Sequence, residues 1–235
     1  LTIGSTVPTG ASVSSSAALQ VATIRAGQQA FGVEVSAVDI ARLAQRAEND
    51  YVGVNCGLMD QMASSTGKPG AALFLDTKTM ETSLEALPVG FSFLTLHSGL
   101  SRQLTDGAYN ERRAQCEAAA SALELPSLRT ATMEQVEALP DPHIRARARH
   151  VVSENQRVLD ARDALRAGDM ARFGALMTQS HHSLSADFQT STREVDALVE
   201  SCLSRGVPGA RITGAGFGGC IVVLVERGAE AGLVT

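Results

Sequence analysis

Long apolar runs are missing from this sequence. The longest strongly apolar run covers residues 220–225, whereas a helix that spans a bilayer needs about 20 such residues. The chain also lacks a basic start followed by an apolar segment, the pattern of a secretory signal. The sequence therefore predicts neither a membrane partner nor a secreted protein.

Cysteine is scarce as well, with Cys56, Cys116, Cys202 and Cys220 as the complete set. No two of them form a Cys-x-x-Cys pair, so their spacing supports neither a disulfide framework nor a zinc site. Reduced thiols in a cytoplasmic protein are the expectation that fits this pattern.

Charge of one sign does not accumulate anywhere along the chain. The sequence has 20 basic and 25 acidic residues, for a formal net charge of −5. A protein whose main partner is nucleic acid needs a strongly basic surface, so no such partner is expected. The sequence does have 44% hydrophobic residues over 235 positions, enough for a sizeable core divided between two domains.

The pattern of apolar and turn-forming residues predicts a mixed α and β fold. Predicted strands cover residues 1–7, 71–76, 91–97, 211–213 and 220–225. Predicted helices cover residues 17–31, a stretch that opens at Ser36 with Asp39 at capping-box spacing, residues 59–65, and roughly three or four segments between residues 107 and 205. A turn at residues 88–90 marks the expected boundary between domains of residues 1–88 and 89–235.

The loop at residues 8–16 consists of small residues and leads directly into the first predicted helix. The first turn of a helix has unpaired N–H groups and a partial positive charge, and small side chains let a phosphate approach them. A serine oxygen can also bind Mg²⁺. The simpler alternative is that residues 14–16 only cap the helix, and the residues alone favour neither interpretation.

A glycine cluster near the end of the chain matches the letters Gly-x-Gly-x-x-Gly at Gly214, Gly216 and Gly219. The dinucleotide-binding motif requires a helix after these glycines, but residues 220–225 have the β-branched composition of a strand. We therefore predict a tight turn between two strands of a hairpin.

Three arginines alternate within one predicted helix, at Arg145, Arg147 and Arg149. Residues two apart on a helix do not share a face, so the three side chains are spread around the helix axis. This pattern predicts a solvated surface.

Several segments together resemble a known family. Residues 8–17 resemble the P-x-G-x-G-L-S-S-S-A motif of the GHMP kinases, which bind ATP phosphates through that loop. Residues 55–61 are similar to the galactokinase segment that holds the sugar and the catalytic aspartate, and residues 211–220 are similar to the family's glycine-rich third motif. Residues 109–117 and 147–155 are also similar to galactokinase sequence, so the resemblance extends over essentially the whole chain.

The resemblance implies a two-domain α+β fold of the GHMP kinase type, with the active site in the cleft between the domains. It implies phosphorylation of D-galactose by ATP at the anomeric hydroxyl, which gives galactose 1-phosphate and ADP, with Mg²⁺ as cofactor in a cytoplasmic monomer. Two alternatives stay open. One is a GHMP kinase for another sugar, N-acetylgalactosamine or arabinose, and the other is a non-catalytic relative that senses galactose and ATP.

The resemblance also assigns roles to individual residues. Ser16 and Glu48 would hold Mg²⁺, and Asp60 would be the catalytic base and a sugar contact together with Gly57 and Tyr109. The residues that would bind ATP are Pro8, Gly10, Ala11, Ser12, Val13, Ser14, Ser15, Ser16 and Ala17.

The chemistry of these residues is compatible with those roles. A carboxylate such as that of Asp60 can orient an attacking hydroxyl and accept its proton, and Gly57 would let the backbone approach a sugar hydroxyl. Each residue also has a simpler interpretation. Asp60 could be a solvated or capping residue, Glu48 could extend into solvent beside Arg46, and Tyr109 could belong to the apolar face of its helix.

The sequence departs from the family pattern in the loop and at both ends. Ser12 replaces the usual second glycine and Val13 the usual leucine, so Ser12 carries strain if its position needs a positive φ. The chain begins at Leu1 without an initiator methionine. It lacks the family's G-R-x-N-x-I-G-E-H-x-D-Y segment and a final strand beyond Thr235. We therefore expect a fragment with little or no turnover of its own.

Overall fold

The computed structural model describes residues 2–8, 13–53, 56–100 and 106–233. The chain divides into two units, Leu1–Leu87 and Pro88–Thr235. Each unit has its own buried residues and its own antiparallel sheet, so each is described by itself.

The first unit is built from three α-helices, a π-helical turn and a hairpin among its described residues. The helices are α1 (Ser15–Phe31), α2 (Ala37–Ala47) and α3 (Met59–Thr66). The π-helical turn (Glu48–Val52) continues directly from α2, and the hairpin strands are β1 (Ala71–Leu75) and β2 (Thr82–Ala86). The helices predicted at residues 17–31 and 59–65 are thereby confirmed.

The start of α2 follows the predicted capping pattern. The Ser36 side chain accepts a hydrogen bond from the backbone N–H of Asp39 at 3.1 Å, which satisfies one of the unpaired donors of the first turn. Ile40 and Ala44 are buried one turn apart and pack with Val21 of α1. The amphipathic spacing of α2 therefore fixes which of its faces meets α1.

One predicted strand is wrong, and one observed strand was not predicted. Residues 2–8 form neither helix nor strand, and no strand in the described part of the chain pairs with them. Conversely, β2 lies between the predicted strands at residues 71–76 and 91–97, where the sequence predicts no strand. Its inward positions are occupied by Ser83 and Glu85, whose side chains hydrogen-bond to each other at 2.6 Å, so an apolar alternation could not reveal the strand.

The second unit contains a three-stranded sheet and five α-helices among its described residues. The strands are β3 (Phe91–His97), β4 (Gly209–Ile212) and β5 (Cys220–Glu226), in the order β3-β5-β4, and both pairings are antiparallel. The helices are α4 (Asp106–Ala122), α5 (Met133–Glu137), α6 (Pro142–Ala167), α7 (Met170–Ser183) and α8 (Arg193–Ser204).

The number of helices between residues 107 and 205 is larger than predicted. The additional element is the short helix α5, which is held by a capping box between Thr132 and Gln135. Five residues are too few to show a helical period, so the pattern of apolar residues could not predict it. A second π-helical turn, Leu184–Phe188, follows α7.

The main core of the second unit lies between α8 and one face of the sheet. Val195 and Val199 of α8 pack with Ile221, Val223 and Val225 of the central strand β5, and all five side chains are buried. The β-branched run that predicted β5 is therefore the core of this unit. No helix in the described ranges has both the length and the apolar character needed to cross a membrane.

Helix α7 approaches the sheet through two facing glycines. A Cβ atom at Gly174 would lie 2.2 Å from the carbonyl oxygen of Pro208, and one at Gly209 would lie 2.2 Å from the carbonyl oxygen of Gly174. Because neither neighbour is the end of a flexible side chain, a methyl group there requires the backbone to move.

We predict that Gly174→Ala lowers the free energy of unfolding of the second unit by at least about 2 kcal/mol, since it overpacks a backbone contact. The matched control is Gly107→Ala in α4, where an added Cβ would meet no described atom within 4 Å. That control is expected to be neutral or slightly stabilising. Urea unfolding of both variants tests this, and equal stability of the two would contradict the packing argument.

Candidate active site

The loop of small residues enters α1 through an unusual backbone conformation. Ser14, at the N-cap position, has a φ of 61°, in the left-handed region, and its side chain makes no capping hydrogen bond. Ser14 therefore does not cap α1 through its hydroxyl, which is the role that the simpler interpretation gave it. Gly10, Ala11 and Ser12 lie outside the described residues.

Ser16 and Glu48, predicted as a pair, are in contact. The Ser16 Oγ donates a hydrogen bond to Oε2 of Glu48 at 2.5 Å, across 32 residues of sequence. The Nε2 of Gln20, one helical turn after Ser16, donates to the same carboxylate oxygen. The start of α1 and the end of α2 are thus joined at a single carboxylate.

The π-helical turn after α2 determines where Glu48 lies. Ala41 and Ala44 are fully buried, and Glu48 follows one turn later on the same side of the helix. The turn closes at Gly53, which has a φ of 81° and donates its N–H to the Glu48 carbonyl. π-Helical turns occur frequently at functional sites, and this one carries the half-buried carboxylate of Glu48.

Asp60 is half-buried in the first turn of α3, where the helix dipole favours a negative charge. A Cβ atom at the nearby Gly57 would meet no described atom within 4 Å, so nothing described there fills the space beside its backbone.

Tyr109 belongs to the second unit. It is 36% exposed and lies outside the buried cluster that Ala119 and Ala120 of the same helix join.

Cys56 connects the segments that carry the two carboxylates. Its carbonyl accepts a hydrogen bond from Gln45 at 3.0 Å, and its thiol lies 3.5 Å from both Asn49 Oδ1 and Gln61 Nε2. Burial raises the pKa of the Cys56 thiol, and the negative charges of Glu48 and Asp60 raise it further. The structure therefore brings Glu48 and Asp60 to the surroundings of one thiol.

The glycine-rich third segment forms the predicted turn between β4 and β5. Gly216 lies against Thr190, because a Cβ atom at Gly216 would be 2.3 Å from the Thr190 carbonyl oxygen. The next residue, Phe217, has a φ of 62° and donates its N–H to the same carbonyl at 2.6 Å. The strand that follows the turn confirms that this is not a dinucleotide-binding motif.

Two family models match the chain: the GHMP kinase N-terminal domain matches residues 1–68, and the GHMP kinase C-terminal domain matches residues 161–234. The chain belongs to the GHMP kinase family. The two matches lie on opposite sides of the Leu87/Pro88 division between the units.

Among GHMP kinases the chain is similar to galactokinases. It is 45% identical over 96% of its length to the galactokinase of Roseiflexus sp. (strain RS-1). It matches the crystal structure of Lactococcus lactis galactokinase complexed with galactose over 97% of its length, with 34% identity and a TM-score of 0.91. Mevalonate kinase from L. major, at 18% identity and a TM-score of 0.63, shares the fold. The chain spans about 60% of the length of these galactokinases.

The expected α+β fold of the GHMP kinase type is thus confirmed. The domain limits at residues 88 and 89 and the roles of the site residues stay predictions. No group of three or more histidine, cysteine, aspartate or glutamate side chains that could hold a metal occurs in the described part of the chain.

The interpretation of the three alternating arginines is wrong for Arg147, which is only 2% exposed. Its guanidinium donates to Gln115 Oε1 at 2.9 Å, to Gln189 Oε1 at 2.7 Å and to the carbonyl of Asp187. Arg112 donates to the adjacent carbonyl of Phe188 at 2.8 Å. The side of α6 that carries Arg147 is covered by α4 and the second π-helical turn, which the alternation of charges could not indicate.

Arg147 and Arg112 position the glycine-rich turn of the GHMP kinase third motif. The carbonyls of residues 187 and 188 end a helical turn and lack helical partners, so a cation beside them is favourable. Two residues farther on, Thr190 is the residue that contacts Gly216 and Phe217. The segment of residues 187–190 thus connects the hydrogen bonds of the buried cation to the turn.

We predict that Arg147→Met lowers the free energy of unfolding of the second unit by about 3 kcal/mol, since it leaves buried acceptors without donors. Arg147→Lys should restore only part of this stability, because an ammonium group cannot reproduce the planar fork of donors.

The matched control for this prediction is Arg113→Met, which removes a 60% exposed arginine paired with Glu117. It should cost about 0.5 kcal/mol or less. Urea unfolding measures all three variants. A loss for Arg147→Met no larger than that for Arg113→Met would contradict the positioning role.

A buried histidine lies beside this network. The Nδ1 of His150 is 3.0 Å from the Ser183 hydroxyl, and its ring lies 4.5 Å from that of Phe188. Burial lowers the pKa of His150 to about 4, with opposing smaller effects from neighbouring charges. The carboxylates of Glu154 and Asp187 raise this pKa, whereas the guanidinium groups of Arg157 and Arg211 lower it.

We predict that the second unit loses about 3 kcal/mol of unfolding free energy through His150 as the pH falls from 6.5 to 4. The unfolded chain binds a proton in this range while the folded imidazole stays neutral, so acid favours unfolding. In His150→Asn this part of the pH dependence should disappear. The exposed His143→Asn is the control and should keep it, and unchanged pH dependence in His150→Asn would be the contrary result.

Proposed function

We propose that the natural gene product containing these 235 residues is a galactokinase. It would transfer the γ-phosphoryl group of ATP to the anomeric hydroxyl of D-galactose and release galactose 1-phosphate and ADP. The contact between Ser16 and Glu48 carries the proposal, because it joins two residues that the family motifs pair. The similarity to two galactokinases, one of them complexed with galactose, supports the choice of sugar.

ATP would bind at the start of α1. The unpaired N–H groups of the first helical turn and the positive end of the helix dipole favour the anionic phosphates. The residues proposed for this task are Pro8, Gly10, Ala11, Ser12, Val13, Ser14, Ser15, Ser16 and Ala17. The left-handed conformation of Ser14 turns the chain from the loop into the helix.

Mg²⁺ would be held by Ser16 and Glu48. A hydroxyl and a carboxylate are oxygen donors of the kind that this cation prefers, and here they are already in contact, so the residues fit the metal. When bound, Mg²⁺ supplies charge neutralisation on the phosphate oxygens during transfer. Glu48 and Ser16 contribute by holding their oxygens together in advance.

Asp60 would act as the base. As the galactose oxygen forms its bond to the γ-phosphorus, the bond from that phosphorus to the leaving oxygen of ADP breaks, and the hydroxyl proton passes to the Asp60 carboxylate. Gly57 leaves room for a sugar hydroxyl to approach the backbone, and Tyr109 is the aromatic neighbour that the resemblance assigns to the sugar.

The proposal includes a cytoplasmic monomer. The four cysteines are scattered along the sequence and form no Cys-x-x-Cys pair, which suits a reducing compartment. The monomeric state is carried over from the resemblance alone. The 235 residues by themselves are expected to turn over little, since they correspond to about 60% of the length of the galactokinases they match.

The experiment is ADP release by the natural gene product with Mg·ATP and galactose, N-acetylgalactosamine, arabinose or mevalonate in turn. We expect turnover with galactose and a loss of at least about 100-fold in kcat for Asp60→Asn, which removes the proton acceptor. The control is Asp50→Asn, an exposed aspartate of the same unit, which should keep full activity.

Two results would contradict the proposal. Turnover with one of the other acceptors but not with galactose would change the assigned substrate and leave the assigned class of reaction unchanged. Saturable binding of ATP and galactose without turnover would instead point to a sensor that does not catalyse.

A further inference from the structure

Gln20 occupies a position that the functional assignment leaves unexplained. It lies on α1 one turn after Ser16 and is half-buried. Its Nε2 donates to the carboxylate oxygen Oε2 of Glu48 and lies 3.4 Å from the Ser16 hydroxyl. Its Oε1 is buried and has no hydrogen-bond partner among the described residues.

An amide with a buried, unpartnered oxygen is costly. Leaving such an acceptor unsatisfied costs about 1–3 kcal/mol, and one hydrogen bond from its Nε2 offsets only part of that. A methionine or leucine would fill the same space without the cost. The amide is therefore better explained by a partner that the protein acquires during its function.

The chemistry of the neighbouring residues indicates what that partner is. The two ends of a glutamine amide exchange places by a half-rotation of the group, one end being a donor and the other an acceptor. The negative charge of the Glu48 carboxylate favours the donor end, and that is the end that faces it. A divalent cation at Glu48 repels the N–H groups and attracts the oxygen, so the rotation becomes favourable.

We propose that Gln20 supplies a further oxygen to the divalent cation site of Ser16 and Glu48, after its amide has rotated. This inference rests on the proposed function, since it requires a cation at Glu48. Without the cation, the same amide stabilises the carboxylate by donating to it. Gln20 would thus donate to Glu48 when no cation is bound and supply an oxygen when one is bound.

The experiment measures the binding of Mn²⁺ to the natural gene product in the presence of a non-hydrolysable ATP analogue. Electron paramagnetic resonance quantifies the ion that stays free. Gln20→Met keeps the size of the side chain and removes the oxygen, and we expect it to weaken binding about tenfold. Gln28→Met is the control. It removes another half-buried amide of the same helix, one that donates to the Val35 carbonyl, and should leave Mn²⁺ affinity unchanged.

A second variant keeps the inference testable if Gln20→Met does not fold. Gln20→Glu places two carboxylates together, so it should lower the melting temperature in the presence of a chelator and raise it again with Mn²⁺. Its Mn²⁺ affinity should exceed that of the wild type, since a charged oxygen replaces a neutral one. Unchanged affinity in Gln20→Glu would overturn the role of residue 20.

The same assay separates this inference from the proposed function. Glu48→Gln should abolish Mn²⁺ binding if Glu48 holds the cation. Wild-type affinity in Gln20→Met together with loss of binding in Glu48→Gln would overturn the role of Gln20 and leave the cation site standing. Wild-type affinity in Glu48→Gln would overturn the cation site itself.

Discussion

A single carboxylate oxygen, Oε2 of Glu48, accepts hydrogen bonds from two side chains of α1, and the geometry of the first unit depends on it. The end of α2 is an unfavourable place for a negative charge, because the helix dipole is negative there. The hydroxyl of Ser16, the amide of Gln20 and the positive start of α1 offset that cost. The same contact joins the start of α1 to the end of α2, in the helix pair that Val21, Ile40 and Ala44 hold together.

The second unit depends on a buried charge of the opposite sign. Arg147 has no carboxylate among its hydrogen-bond partners in the described residues and is stabilised by amide and carbonyl oxygens. One of these oxygens, the carbonyl of Asp187, belongs to the end of a π-helical turn, so the cation satisfies an acceptor that the backbone cannot. Through Thr190 this arrangement holds Gly216, the glycine that tolerates a neighbouring carbonyl at close range. Each unit thus relies on one charged side chain, the half-buried Glu48 in the first and the buried Arg147 in the second.

The sequence allowed prediction of features that follow a period or a motif. Residues such as Ser36 and Ile40 predict α2, because capping and helical spacing are local features of the sequence. The pairing of Ser16 with Glu48 was predicted from the resemblance to family motifs. Features that depend on burying polar groups were not predictable. Strand β2 buries Ser83 and Glu85, and Arg147 lies beneath another helix, so their polarity pointed to solvent. The contacts of Gln20 have no pattern in sequence, because they arise only when α1 meets the π-helical turn.

The most direct test of the central claim is a crystal structure of the natural gene product with galactose, Mg²⁺ and a non-hydrolysable ATP analogue. The account predicts Mg²⁺ about 2.1 Å from Ser16 Oγ and from a Glu48 carboxylate oxygen. It also predicts the anomeric hydroxyl of galactose within hydrogen-bond distance of the Asp60 carboxylate. A cation held by other residues, or a sugar whose anomeric hydroxyl lies away from Asp60, would contradict it.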